Sequence, residues 1–168
     1  MQWLGNTLFG STVRRVATVV CVVALATIGG RLWIFKPAPS PFKEALTQVV
    51  FPIYYPQPMP AGFTLDTQSI QVSGGIVFYT LRATNGNTVT VTNQLPPIAM
   101  DPITTFETSL TEPEIVHTAY GNAKIGKLPG TVSGSLLTTK TWIIINSQQT
   151  DTLPRFAEIF QALRPTEK

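Results

Sequence analysis

Side chains that could perform chemistry are few in this chain, and most lie in its last third. His117 is the only histidine, so a hydrolase would need it beside a nucleophile and a carboxylate. The segment Gly130–Gly134 (GTVSG) only superficially resembles the G-x-S-x-G motif of such nucleophiles. Glu114 stands three residues before His117, but Ile115 and Val116 between them indicate a strand, on which these two side chains face opposite sides. We therefore interpret His117 as an ordinary strand histidine.

Two other arrangements in the same region could mark a site. Glu112 and Glu114 flank Pro113, which suggests either the acid pair of a glycosidase or, as we prefer, two solvated carboxylates in a turn. The stretch Gly121–Gly130 (GNAKIGKLPG) has the glycines of a phosphate-binding loop, but Leu128 follows Gly-Lys where that motif needs serine or threonine. We therefore assign no catalytic, cofactor-binding or metal-binding residue and expect no cofactor.

The longest uncharged apolar run of the chain begins at Val16. The fifteen residues Val16–Gly30 carry no charge and include the only cysteine, so the rest of the chain can form neither a disulfide nor a cysteine metal site. A helix that continues to Phe35 would contain twenty residues, which is enough to cross a hydrocarbon core of about 30 Å at a rise of about 1.5 Å per residue. We predict a single-pass transmembrane helix at residues 16–35, in contact with the lipid bilayer. The competing interpretation is a signal peptide cleaved near Ala24–Ala26.

The predicted helix divides the chain into four parts. Residues 1–15 form a short basic tail, residues 36–41 (KPAPSP) a proline-rich linker, and residues 42–168 one small domain. Basic residues flank the apolar run on both sides, but a short basic tail before such a run resembles an uncleaved signal anchor. The expected location is therefore the cell membrane, with the C-terminal domain outside the cytoplasm.

Charge is distributed unevenly along the chain. There are 12 Lys and Arg against 9 Asp and Glu, which gives a net charge of +3. Four of the basic residues and none of the acidic residues lie in the first 36 positions, so the positive excess belongs to the flanks of the apolar run. The remaining domain is almost neutral and poor in charged residues, which argues against DNA or RNA as a partner.

The pattern of residues 42–168 predicts an α+β fold. Three β-branched segments separated by Ser73–Gly75 and Asn85–Asn87 predict an antiparallel meander, because Asn-Gly favours hairpin turns. The second segment, Ile76–Ala83, is apolar on both sides, so we expect it to be central and covered on both faces. After the transmembrane helix, the sequence predicts an antiparallel sheet of about six strands with two or three short helices, the last at the C-terminus. The segments are strands at 64–72, 76–83, 88–93, 114–120, 123–128, 131–138 and 141–146, and helices at 42–50, after Asp101 and at 152–163.

The segment Phe51–Phe63 (FPIYYPQPMPAGF) is unusual because four prolines alternate with aromatic residues. Prolines at these positions forbid a regular helix or a central strand. Such a surface can bind sugar rings or extended peptides, but the interpretation that we prefer is that Phe51, Tyr54, Tyr55 and Phe63 cover the sheet.

The order of these features resembles that of uncharacterised bacterial membrane-anchored proteins with a small extracytoplasmic α+β domain. The features that carry the resemblance are the anchor, the spacer, the segment FPIYYPQPMPAGFTLD, the WIIIN strand and the closing amphipathic helix. It implies no known activity and no functional residues. We expect a non-enzymatic domain that binds an envelope protein, peptide or glycan. The alternatives are an envelope hydrolase that uses His117 or the acidic residues, and a subunit of an envelope assembly, which an exposed apolar patch would support.

Overall fold

The computed structural model of the protein describes residues 40–98, 101–147 and 153–166. The predicted tail, the transmembrane helix and most of the linker lie outside these residues. Within them, no helix is long and apolar enough to span a bilayer. The elements in chain order are α1 (Lys43–Gln48), β1 (Tyr54–Pro56), β2 (Phe63–Ser73), β3 (Ile76–Ala83), β4 (Thr88–Gln94), α2 (Pro102–Glu107), β5 (Thr111–Thr118), β6 (Gly121–Leu128), β7 (Thr131–Leu137), β8 (Trp142–Ser147), α3 (Leu153–Ala162) and β9 (Leu163–Pro165).

Seven of these strands form one antiparallel sheet in the order β2-β3-β4-β8-β7-β6-β5. Strands β2 to β4 are the predicted meander, and β5 to β8 form a second one. The two meanders join where β4 pairs with β8, which places Thr92 opposite Ile144. The short strands β1 and β9 pair separately. The expected α+β character, the antiparallel sheet and the C-terminal helix are thus confirmed.

We call the side of the sheet that carries Val77, Val91 and Ile145 the inner face. These three side chains are fully buried, because α1, α3 and the β1–β9 pair lie over this side. The approach of α3 depends on a glycine: a Cβ atom at Gly134 would lie 2.7 Å from Cζ of Phe160, which is closer than real contacts allow. The main hydrophobic core therefore lies between the inner face and α3.

The described residues cover the opposite side, which we call the outer face, over only part of its width. Helix α2 packs on β6 and β7, and Lys124 of β6 donates a hydrogen bond to Glu107 of α2 at 2.8 Å. Ser133 and Ser135 of β7 are fully buried under this cover. Along β3, β4 and β8, by contrast, outer-face side chains are half-buried and alternate strictly with buried inner-face ones.

Strand β3 therefore differs from the prediction. It lies between β2 and β4 as expected, but among the described elements only its inner face is covered by helices or by the β1–β9 pair. Its outer-face residues Ile76 and Phe78 are half-buried, whereas its inner-face residues are buried. The prediction failed because apolar residues on both sides of a strand show what it can bury and not what the rest of the chain supplies to cover it.

One turn and one helix end also differ from the sequence interpretation. The β5–β6 turn lies at Ala119-Tyr120 and not at Gly121-Asn122, because the Thr118 hydroxyl accepts from Tyr120 N at 3.1 Å and donates to Gly121 O at 2.7 Å across it. At the end of α3, Leu163–Pro165 does not simply end the helix but forms β9. Hydrogen bonds of the Thr118 side chain thus place the β5–β6 turn. Pairing with the distant strand β1 makes the residues after α3 a strand.

Candidate interaction surface

The proline-aromatic segment is held against the inner face by one buried asparagine. Asn93 of β4 is fully buried, its Oδ1 accepts from Tyr54 N at 2.8 Å, and its Nδ2 donates to Tyr54 O at 3.3 Å. The side-chain amide therefore satisfies both backbone groups of Tyr54, as a neighbouring strand would. Position 54 is consequently fixed to the sheet although it is not paired with it.

Tyr79 adds a second bond to the same carbonyl group. Its hydroxyl donates to Tyr54 O at 2.8 Å, and its ring packs edge-on against Phe42 at 5.1 Å between centroids. Burial raises the pKa of Tyr79 well above its usual value of 10.0, since the interior disfavours the charged phenolate. The hydroxyl thus remains a donor at all ordinary pH values.

Two further hydrogen bonds fix the segment immediately before Tyr54. Thr141 Oγ1 donates to Pro52 O at 2.9 Å, and Thr166 N donates to Ile53 O at 2.8 Å. Ile53 is itself fully buried. Phe51, Tyr54 and Phe63 are buried and Tyr55 is half-buried, so these aromatic rings belong largely to the core. The interpretation that they cover the sheet is the one that the structure supports, and the segment presents no platform of exposed rings.

His117 lies on the exposed edge strand β5, as the strand interpretation predicted. Its Nδ1 lies 2.8 Å from Asn122 Oδ1, and Asn122 is its partner across the β5–β6 hairpin. Ser133, the serine of Gly130–Gly134, is two strands away and about 13 Å farther along the strand direction, at about 3.3 Å per residue. Ser133 also bonds Asn146. Histidine and serine are therefore not in reach of each other.

One of the two candidate acidic residues forms an ion pair across the β5–β6 hairpin. Lys127 Nζ lies 2.6 Å from Glu112 Oε2 across β5 and β6. The hydrogen bond from Lys127, and then its charge, lower the pKa of Glu112 below 4.5. Glu114 is exposed on β5. The stretch Gly121–Gly130 is strand β6 and a turn, which excludes the geometry of a phosphate loop leading into a helix.

Among residues 40–98, 101–147 and 153–166, no three His, Cys, Asp or Glu side chains are placed to hold one metal ion. A cleft of about 230 Å³ lies between α1 and β2, lined by residues such as Glu44, Gln48 and Ile70. Glu44 and Gln48 are exposed helix residues, and the residues that line the cleft include no histidine, cysteine, serine or lysine. It therefore offers no arrangement that we can connect to a reaction.

The most distinctive surface is the uncovered part of the outer face. Six half-buried residues of three adjacent strands form it, and we call them the open patch: Ile76, Phe78, Thr90, Thr92, Trp142 and Ile144. Its central row runs across the sheet through Phe78, Thr92 and Ile144, which lie directly opposite one another. No member of the patch carries a charge. This surface is apolar enough to bind a partner and regular enough to bind it in one register.

The open patch is bounded by defined contacts. On one side, Trp142 Nε1 donates to Ser135 Oγ at 2.6 Å, which fixes the indole at the border of the area under α2. On the other side, Arg82 of β3 pairs with Asp66 of β2 at 2.6 Å. The Arg82 hydrogen bond is the main reason that the pKa of Asp66 lies below 3.8.

Two exposed apolar side chains follow the end of β4. Leu95 is 53% exposed and Ile98 is fully exposed, and they follow Gln94, which pairs with Trp142. In the sequence they flank the pair Pro96-Pro97, directly after the alternating pattern of β4 (TVTVTNQ).

No protein family, no curated protein and no solved structure was found to match the chain.

Proposed function

We propose that this chain is a single-pass membrane protein whose C-terminal domain lies outside the cytoplasm and serves as a non-enzymatic interaction module in an envelope assembly. The observation that carries the interaction role is the open patch. Its six residues are neutral and half-buried, and they lie on three central strands of the sheet. Exposed apolar surface on an otherwise polar domain is typical of a binding site.

The arrangement of reactive groups supports a role without catalysis. The imidazole of His117 and the hydroxyl of Ser133 are separated by two strand positions across the sheet, and Glu112 is neutralised by Lys127. Each group has a local structural partner. A triad or an acid pair would require these side chains to converge on one substrate position.

The membrane part of the proposal rests on the sequence of residues 16–35. Twenty residues with a single charge, Arg31, and with Trp33 and Phe35 near one end have the composition of a spanning helix. A long arginine side chain near the end of such a helix can reach the headgroups. The proline-rich residues 36–41 would then separate the domain from the bilayer.

Topology can be tested by adding protease to intact cells that express the full chain with a C-terminal epitope tag. If the domain is outside, the protease removes the tag epitope from the membrane fraction, while a cytoplasmic marker stays intact. Cells with a permeabilised envelope serve as the control for protease activity. A further sample has the outer layer of the envelope opened and the inner membrane intact. If the tag is fully protected from protease in that sample, the proposed orientation is wrong. Recovery of the full chain in the soluble fraction would overturn the anchor.

A further inference from the structure

We propose that one end of the sheet contacts the lipid bilayer through three exposed apolar side chains, Val50, Leu95 and Ile98. We call these three residues the apolar rim. The inference rests on the proposed membrane anchor at residues 16–35, and it names the surface of the C-terminal domain that touches lipid.

The apolar rim contains the most exposed large hydrophobic residues of the domain. Among residues 40–98, 101–147 and 153–166, four such side chains are more than half exposed: Val50, Leu95, Ile98 and Ile115. Val50 is 80% exposed and Ile98 is fully exposed. Only Ile115 lies elsewhere, on the edge strand β5. Exposed apolar side chains that gather in one place are typical of a surface that contacts a protein or a membrane.

The first member of the rim lies near the start of β8. Val50 is two residues before Pro52, whose carbonyl oxygen accepts from Thr141 Oγ1 at 2.9 Å. Thr141 is fully buried, and it closes the turn before β8 because its carbonyl oxygen accepts from Thr138 N at 2.9 Å. The backbone near Val50 is therefore fixed to this turn, although the valine side chain is exposed.

The other two members follow the strand that pairs with this start of β8. Gln94 ends β4 and lies opposite Trp142, the residue after Thr141. Leu95 directly follows Gln94, and Ile98 lies at most about 11 Å beyond Leu95 at about 3.6 Å per residue. The members of the rim thus come from two distant segments that meet at the same end of the sheet.

The N-terminal part of the domain lies at this end of the sheet as well. Pro41 and Val72 line the same cleft between α1 and β2. Val72 lies opposite Val77 of β3, and Val77 lies opposite Asn93 of β4. Asn93 directly precedes Gln94. The chain therefore enters the domain near the level at which β4 ends and the rim begins.

The length of the linker makes lipid the partner that this end of the sheet can reach. Five peptide steps join Phe35 to Ser40, and an extended proline-rich chain of that length spans about 16 Å at about 3.1 Å per residue. The headgroup layer on each side of the hydrocarbon core is about 5–8 Å thick. If residues 16–35 span the bilayer, Ser40 would lie within roughly 10 Å of the headgroup surface. A protein partner would have to enter this narrow space.

The charges near the rim are compatible with a lipid surface. Lys140 is exposed in the turn between Thr138 and Thr141, and an ammonium group suits the phosphate groups of lipid headgroups. Lys43 and Glu44, at the start of α1, balance each other. The contact is therefore mainly apolar, with the three side chains at the boundary between headgroups and acyl chains, and we expect it to form on electrically neutral phosphatidylcholine.

The first test measures whether a reporter on the rim meets acyl chains. The full chain with Cys21→Ser and Leu95→Cys is labelled with an environment-sensitive fluorophore and reconstituted into vesicles of phosphatidylcholine with brominated acyl chains. We expect the brominated lipid to quench the fluorophore at position 95. Thr84→Cys is the matched control, because Thr84 is exposed beyond the opposite end of β4, about 20 Å away. Equal quenching at both positions, or none at position 95, would overturn the proposal.

The second test removes the other two apolar side chains from the reporter chain. Val50→Asp and Ile98→Asp should each lower the equilibrium constant for contact about tenfold, which is the effect of withdrawing one large apolar side chain from lipid. Together they should reduce quenching at position 95 to the level of the Thr84 control. Thr84→Asp with Asn85→Asp adds the same charge at the far end and should change nothing. Circular dichroism confirms that each variant is folded, and quenching that persists without Val50 and Ile98 would overturn the proposal.

Flotation of the vesicles separates this proposal from the proposed function. A chain that floats with the vesicles but is not quenched at position 95 retains the anchor and overturns the lipid contact, which would leave a protein as the occupant of the rim. A chain that does not float overturns the anchor and the lipid contact together. Brominated lipid is present in both leaflets, so neither result depends on the orientation that the protease experiment tests.

Discussion

Asn93 is the residue whose replacement tests the structural reasoning most directly. It is fully buried, and it alone gives Tyr54 N a partner. In Asn93→Ala that N–H group stays buried without an acceptor, which costs about 1–3 kcal/mol. The lost amide leaves a cavity of roughly 30 Å³, which adds about 0.7 kcal/mol at about 24 cal/mol per Å³. We expect the free energy of unfolding to fall by about 2–4 kcal/mol, a large part of the total of about 5–15 kcal/mol for an ordinary domain.

Asn93→Asp separates the hydrogen bonds from the packing. A protonated aspartic acid has the shape of asparagine, accepts from Tyr54 N and donates to Tyr54 O in place of Nδ2. Burial raises the pKa of this carboxyl in the folded state above its unfolded value of about 3.9. For an acid whose folded pKa is raised, stability is present below the unfolded pKa and is lost as pH rises toward the folded pKa.

The expected result follows from that sign. At about pH 4 the aspartate variant should lie within about 1 kcal/mol of the wild type, and at pH 7 it should lose up to about 4 kcal/mol more, at about 1.4 kcal/mol per pH unit. Asn93→Ala should show no such difference between the two pH values. Each variant is compared with the wild type at the same pH by urea unfolding of the full chain in non-ionic detergent, followed by circular dichroism.

The control is the neighbouring residue Gln94, whose side chain lies half-exposed on the outer face. Gln94→Ala should change the free energy of unfolding by less than about 0.5 kcal/mol, as ordinary surface substitutions do. The reasoning is refuted if Asn93→Ala is as stable as Gln94→Ala, or if Asn93→Asp follows the wild type at both pH values. Either result would mean that position 54 does not depend on the amide.

Two further substitutions test the close packing and the electrostatics of the domain. Gly134→Ala places a methyl group against the Phe160 ring, so it should lower the free energy of unfolding by about 1–3 kcal/mol or more in the same urea assay. Adding Phe160→Leu to that variant should recover part of the loss. If Gly134→Ala leaves the free energy of unfolding unchanged, the described approach of α3 is wrong. Asp66→Asn removes the partner of Arg82, whose bond lowers the pKa of Asp66 below 3.8. Because stability from a lowered pKa is lost as pH falls through the folded pKa, the variant should show a smaller drop in unfolding free energy between about pH 5 and pH 2.5 than the wild type, and an unchanged drop would contradict the ion pair.

Local sequence signals predicted the strands well and the contacts between distant segments poorly. Strand β3 begins at Ile76 and ends at Ala83 as expected, because glycine turns and β-branched residues define it locally. The pairing of β9 with β1 joins Tyr55 with Arg164, and no local pattern indicates such a partner. The role of Asn93 was invisible for the same reason, since an asparagine at the end of TVTVTN looks like the start of a turn.

The candidate surface was partly readable from the sequence. The nearly neutral composition of the domain and its lack of a recognisable chemical motif favour a binding role over a catalytic one. The position of the patch depends on where α2 lies, and the pattern after Asp101 predicts a helix without saying which strands it covers. Only the sheet order, with β8 between β4 and β7, shows that α2 on β7 leaves β8 uncovered.

The residues of the outer face show why the cover ends where it does. Under α2, β7 carries Ser133 and Ser135, small side chains that let a helix approach and find hydrogen-bond partners in Asn146 and Trp142. On β4 the equivalent positions are threonines, whose branched side chains stabilise a strand without a covering layer and keep it soluble. A single chain can therefore exist with its patch exposed, and the gain from covering that patch is small.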